Sequence, residues 1–369
     1  MSDQYTLYGS PASLYTGKVR AYLNYKHIPY KEVMSSLRVY KKIIIPKTGV
    51  RFIPVVATPE GEFLQDSSHI IDSLEARFAK RSVFPSGPRQ LLTAHLLELF
   101  GDEWLRMPAM HYRWNFPEHN EEFILHEFGS SVMPRAPRFV HRWLGQKVAA
   151  KFSGYVEPLG INSQTIPAIE AWYEELLGQL NTHFEQHDFL LGSCPSIGDY
   201  GLMVPLYAHL YRDPYPGQLM KRIAPEVARW VERMNESASV EGTFLPNDEV
   251  PETLRPILQR LFQECWPAME TTTAKVSQWI DENPGNPNIP RMLGMHEFTL
   301  GDTKSEQMTL PFSQWMVQRV LDCYQGFEPA EKATADEFFH GVGAAEAMEF
   351  KPQHRVKREN NRLVVETIS

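Results

Sequence analysis

Two short runs near the start of the chain, Phe52-Ile53-Pro54-Val55 and Gln65-Asp66-Ser67-Ser68, hold residue types from which a small polar site can be made. A proline entering a strand removes one ladder donor and is the residue type that accepts a cis peptide bond. The residue before it, Ile53, can then present its N–H and C=O outward. A carboxylate and a hydroxyl opening a helix, here Asp66 and Ser67, can accept an ammonium group. The helix N-terminus meanwhile offers free N–H groups and a positive dipole end to a carboxylate. Together these groups suit an amino-acid-sized zwitterion. The same residues also fit an edge-strand proline and an ordinary N-cap.

The elements that must position these groups are legible around them. Tyr5 to Tyr8 is β-branched and aromatic and is interrupted by Gly9-Ser10-Pro11, as a strand entering a loop should be. Gly17 to Lys26 has helical apolar spacing and is closed by His27-Ile28-Pro29. Tyr30 to Met34 reads as a strand, and Val39 to Ile45 as a short helix ending at Pro46. Phe52 to Ala57 and Glu62 to Gln65 form a hairpin around Thr58-Pro59-Glu60-Gly61, and a helix runs from Asp66 or Ser67 to Phe78. The order is βαβαββα.

Residues 82–89, with Pro85-Ser86-Gly87-Pro88, have linker composition. Beyond them come long helical stretches, among them Gln90 to Met107, Pro167 to His183 and Met220 to Met234. A turn cluster at 281–290 precedes a strand and turn at Phe298 to Gly301, a helix over Pro311 to Tyr324 and a terminal strand from Arg362 to Ile368. The expected class is α+β, with domains at 1–81, 90–269 (all-helical) and 270–369, the last an appended α+β extension.

The length, 369 residues, supports several domains, and 43% hydrophobic against 22% charged residues is a globular balance. A net charge of -8 opposes a phosphate backbone, so no nucleic-acid partner is expected. Residues 1–81 differ from the rest: twelve Lys and Arg against seven Asp and Glu leave them at +5. Lys41, Lys42, Lys47 or Arg51 could pair with a ligand carboxylate, although a solvated face explains such charges equally. Cys194, Cys265 and Cys323 have neither disulfide-framework nor metal spacing, no apolar run reaches a membrane span, and the start lacks a secretory leader. A cytoplasmic protein without a membrane partner is expected.

The order of the first elements, with Ile53-Pro54 and Asp66-Ser67 in place, resembles the thioredoxin-like domain of glutathione S-transferases. Leu190-Leu191-Gly192-Ser193-Cys194-Pro195-Ser196-Ile197-Gly198-Asp199-Tyr200 is similar to that family's helical-domain signature, in which Ser196 and Asp199 have capping-box spacing. The resemblance implies glutathione as co-substrate, with Asp66 and Ser67 at its γ-glutamyl end and Ile53, before Pro54, at its cysteinyl backbone. It also implies a thiol-activating hydroxyl after the first strand. Candidates are Ser10, Ser13, Tyr15 and Thr16, and gapless alignment on serine- and cysteine-type members selects Ser13. The loop matches neither a Ser-Ser-Cys-Ser nor a Cys-Pro-Phe pattern, and a helix-capping serine is the plainer reading of Ser13.

The implied activity is transfer of the glutathione thiolate to an apolar electrophile by a homodimer. Trp104, Met107, Met110, His111, Tyr112, Trp114 and Phe116 would furnish an interdomain pocket or simply core. The alternatives are a non-catalytic partner-binding scaffold and a glutathione-dependent isomerase or lyase. No metal is expected: His296-Glu297 lacks the second histidine of a metal helix, and His119, Glu122 and His126 fit a solvated or packed face. Gly341-Val342-Gly343 is no dinucleotide fingerprint.

Overall fold

The computed structural model describes residues 4–344 and 346–366. It opens with β1 (Tyr5–Gly9), α1 (Leu14–Tyr25), β2 (Tyr30–Met34), α2 (Leu37–Val39), α3 (Ile45–Thr48), β3 (Val55–Ala57), β4 (Phe63–Gln65) and α4 (Ser67–Glu75). The strands lie in the order β2-β1-β3-β4, with β1 parallel to β2 and antiparallel to β3, and β3 antiparallel to β4. This is a thioredoxin-like sheet. Leu7, Val55 and Val56 on the strands and Val19, Leu23, Ile70, Ile71 and Leu74 on α1 and α4 are fully buried. Each such side chain contributes about 1.5–3 kcal/mol relative to exposure.

Pro46 does not end its helix. A wide turn over Tyr40–Ile44 links α2 to α3, and Pro46 sits in the first turn of α3, which stops at Gly49 with φ +71°. Widening the turn relieves the clash between the proline ring and the carbonyl four residues earlier.

The remainder is mostly helical: α5 (Pro88–Leu99), α6 (Arg106–Trp114), α7 (Pro117–Val132), α8 (Arg138–Ser153), α9 (Ile166–Phe184), α10 (Ile197–Ala208), α11 (Pro214–Ile223), α12 (Pro225–Asn235), α13 (Arg255–Arg260) and α14 (Trp266–Glu282). The hairpin of β5 (Met295–Leu300) and β6 (Thr303–Met308), then α15 (Phe312–Gln325), α16 (Pro329–His340) and the hairpin of β7 (Val356–Glu359) and β8 (Arg362–Val365) complete it. The α+β character expected of the extension is present. Two expected helices are interrupted. A wide turn at Phe100–Trp104 divides the 90–107 stretch, and Ala224, at φ -143° and ψ 63°, breaks 220–234 before Pro225. The residue preceding a proline is pushed out of the helical region. The terminal strand ends at Val365; residues 367 and 368 of the expected strand lie outside the described residues.

The chain forms two compact units: residues 1–83, 109–155 and 203–241 in the first, and 84–108, 156–202 and 242–369 in the second. Within the first, α7 and α8 touch backbone to backbone. A Cβ added at Gly129 would stand 2.0 Å from the His141 carbonyl oxygen, and one at Gly145 would stand 2.1 Å from that of Leu125. In the second, Gly101 and Gly201 allow similarly close approach, a Cβ on Gly101 meeting the Gly201 carbonyl carbon at 2.3 Å.

Candidate functional site

Strand register brings the singled-out residues to one end of the sheet. Val55 pairs with Tyr8 on one side and with Gln65 on the other. The loop after Gly9, the Ile53-Pro54 step before β3 and Asp66 after β4 therefore emerge at the same end. The Ile53-Pro54 bond is cis, and Ile53 stands outside the ladder, half-buried. Asp66 has φ +83° and caps α4, its Oδ1 accepting from the backbone N–H groups of Ser68 and His69 at 3.1 Å each. Ser67, the first residue of α4, is buried.

One contributor is invisible in local sequence. Lys18, on α1, is 0% exposed and donates to Ser68 Oγ at 3.1 Å. That bond ties α1 to the first turn of α4, where the backbone N–H groups and the positive end of the helix dipole favour a ligand carboxylate at Ser67. Lys41, Lys42, Lys47 and Arg51 are all exposed, and the Lys47 ammonium lies 5.6 Å from the centre of the Phe63 ring.

The four hydroxyl candidates separate clearly. Ser10 Oγ lies 2.8 Å from Ser131 Oγ and accepts from the Ala12 N–H, while Thr16 Oγ1 accepts from the Ser10 N–H at 3.3 Å and is fully buried. Tyr15 is half-buried in the first turn of α1. Ser13 occupies the N-cap position of α1, is half-buried, and makes no side-chain cap bond. Tyr8, beside this loop, stacks on Phe63 at 6.3 Å, and burial pushes its phenol above the ordinary value.

The loop is held from below by side chains far away in sequence. Arg212 Nη1 donates to the Pro11 carbonyl at 2.6 Å and its Nη2 to Glu127 at 2.6 Å. Arg113 Nη1 donates to the Ala12 carbonyl at 3.4 Å while its other nitrogens grip Asp213. These guanidinium groups fix the main chain on which Ser13 stands.

Other singled-out groups are structural. Ser196 and Asp199 form the reciprocal capping bonds: the Ser196 N–H donates to Asp199 Oδ2 at 2.8 Å and the Asp199 N–H to Ser196 Oγ at 3.4 Å. Asp199 Oδ1 also accepts from the Leu190 N–H at 3.0 Å. Trp104, Met107, Met110, His111 and Tyr112 are buried, and Phe116 stacks on Tyr215 at 3.9 Å. His119 stacks on Tyr215 and His126 packs on His141, so neither turns toward a shared ligand. Among the described residues, no three His, Cys, Asp or Glu side chains converge as a metal site. None of the described helices is long and apolar enough to cross a membrane.

Residues 7–82 match the family described as glutathione S-transferase, N-terminal domain. No curated protein matches the chain. Among solved structures, a glutathione S-transferase from Rhodospirillum rubrum is 14% identical over 68% of this chain and 97% of its own, with a TM-score of 0.37. One from Methylobacterium radiotolerans, in complex with glutathione sulfonate, is 16% identical over 67% of this chain and 100% of its own, with a TM-score of 0.39. The glutathione transferase GSTFuA3 from Phanerochaete chrysosporium is 16% identical over 65% of this chain and 100% of its own, with a TM-score of 0.46.

Proposed function

We propose that this chain, whose N-terminal domain is glutathione S-transferase-like, is a cytoplasmic glutathione-dependent transferase acting as a homodimer. Its domains are 1–81, which binds glutathione, a helical domain over 90–269 after the 82–89 linker, and the 270–369 extension. The observation that carries the reading is the convergence of the cis Ile53-Pro54 step, the Asp66-Ser67 helix start and the Ser13 loop at one end of the sheet. Asp66 and Ser67 receive the γ-glutamyl end at the N-terminus of α4. Ile53, held by Pro54, receives the cysteinyl main chain.

Ser13 carries the hydroxyl assigned to the thiol. It donates to the sulfur, and with the N-terminus of α1 favours thiolate over thiol. The thiol proton leaves to solvent. The sulfur lone pair then forms the new C–S bond as the leaving group of an apolar electrophile departs with its bonding pair. No metal takes part in these steps.

The test is thioether formation from glutathione and a panel of apolar aryl and alkyl halides, resolved by mass. Products formed faster with the protein than without it support the transferase. Glutathione rearranging or cleaving a substrate without a thioether product would indicate an isomerase or lyase, and absence of glutathione binding would indicate a partner-binding scaffold.

A further inference from the structure

The strongest unassigned feature is the outer face of α8. Its inner face is settled by the α7 contact: His141, Gly145 and Ala149, spaced four apart, are buried against α7, and His141 Nε2 lies 3.0 Å from the Met133 carbonyl oxygen. At about 100° per residue, the opposite side of the helix then carries Phe139 and Trp143. Phe139 is 76% exposed and Trp143 54%. Arg142 flanks this stripe on one side and Lys147 and Lys151 on the other.

Charge on this segment is one-sided. Residues 133–155 hold Arg135, Arg138, Arg142, Lys147 and Lys151 and no Asp or Glu, in a chain whose net charge is -8. The nearest carboxylate pairing is Arg142 with Glu121 at 3.9 Å, both more than half exposed, a surface pair of little strength. The Lys147 ammonium lies 3.8 Å from the centre of the Trp143 ring, so cation and aromatic share one patch.

A solvated helix face ordinarily carries its charges at the centre. Here large exposed aromatics occupy the centre and cations both flanks, the arrangement of a helix lying in a bilayer interface. There the rings enter the headgroup boundary and the Lys and Arg heads reach lipid phosphates. A second copy would oppose like charge with like charge if this face met itself about a two-fold axis. We propose that α8 seats this protein peripherally on an anionic phospholipid surface, Phe139 and Trp143 inserting and Arg142, Lys147 and Lys151 pairing with the headgroups. This concerns a helix lying on a membrane and leaves the absence of a spanning helix unchanged, and it stands independently of the glutathione site.

The experiment is flotation of the full-length protein with phosphatidylcholine vesicles, with and without about 30% phosphatidylserine, at low and at roughly physiological salt. The expected result is capture by the anionic vesicles at least about 10-fold above the neutral ones, weakened by salt. Phe139→Ser/Trp143→Ser and Lys147→Glu/Lys151→Glu should each reduce capture by about 10-fold or more with far-UV circular dichroism unchanged, since all four side chains face solvent. Equal capture by both vesicle types, or variants that bind like the wild type, overturns the proposal. So does an α8-dependent dimer in sedimentation, or binding to single-stranded RNA, without vesicle capture.

Discussion

Arg113 and Asp213 form a bidentate ion pair, Nε to Oδ2 and Nη2 to Oδ1 at 2.6 Å each, with side chains 2% and 0% exposed. The same guanidinium reaches the Ala12 carbonyl, so this pair connects the loop that presents Ser13 to the interior of its unit. A buried pair gains little over apolar residues of the same size, but breaking it strands a charge. Asp213→Asn or Arg113→Met alone should each cost about 3–5 kcal/mol in chemical denaturation, and the double replacement Arg113→Met/Asp213→Leu less than the sum of the two singles. Additive losses would show that the two side chains act separately.

Ser13 has the free hydroxyl at the N-terminus of α1. Ser13→Ala should raise the pKa of the bound glutathione thiol by about one unit or more and slow conjugation at neutral pH by about 10-fold. The deficit should shrink as pH rises and the thiolate forms without help. Ultraviolet thiolate titration of the bound tripeptide checks this, and an unchanged rate at neutral pH removes Ser13 from the mechanism.

His183 contributes to the pH dependence of stability. Its Nε2–H donates to the Phe189 carbonyl at 3.3 Å and its Nδ1 accepts from Thr253 Oγ1 at 2.7 Å, while burial, then the neighbouring His187, pushes the imidazole down to about 3. The folded protein therefore resists protonation that the unfolded chain accepts near 6.5. Stability from this group is complete above 6.5 and is lost as pH falls from there toward 3, about 2 kcal/mol of it by pH 5. His183→Asn should flatten the fall in denaturation midpoint between pH 7 and 5. An identical slope in the variant would contradict this assignment.

The cysteines should be inert. Cys194 and Cys265 are buried and Cys323 is half-buried. Burial pushes the Cys265 thiol well up and the Cys323 thiol to about 12. An aromatic disulfide reagent at neutral pH should label the native protein at least about 100-fold more slowly than the unfolded one. Rapid labelling of one thiol in the native state would reopen cysteine chemistry.

Local signals were legible because they depend on neighbours in sequence. The Ile53-Pro54 step, the Asp66 cap and the Ser196–Asp199 capping box follow from residue type and short spacing, and the βαβαββα element order follows from strand and helix patterns and turns. Pro225 carried a readable break that a helix over 220–234 ignored, whereas Pro46 looked like a break and was absorbed by a widened turn. The support beneath the Ser13 loop was not legible. Arg113, Glu127, Arg212 and Asp213 stand about 100 to 200 residues from the carbonyls they hold or support, and no local pattern marks such a partnership. The burial of Lys18 was not legible for a related reason: its partner Ser68 lies fifty residues away on α4.

In the proposed site Asp66 acts on a ligand as well as on its own helix. Asparagine keeps the capping oxygen and tolerates positive φ, so Asp66→Asn should leave thermal stability within about 0.5 kcal/mol while removing the negative charge. Calorimetric titration of glutathione into the wild-type protein should show micromolar-to-millimolar binding, weakened about 10-fold or more in this variant. No binding to the wild type, or equal binding to both proteins, would contradict the glutathione site and leave Asp66 an N-cap alone.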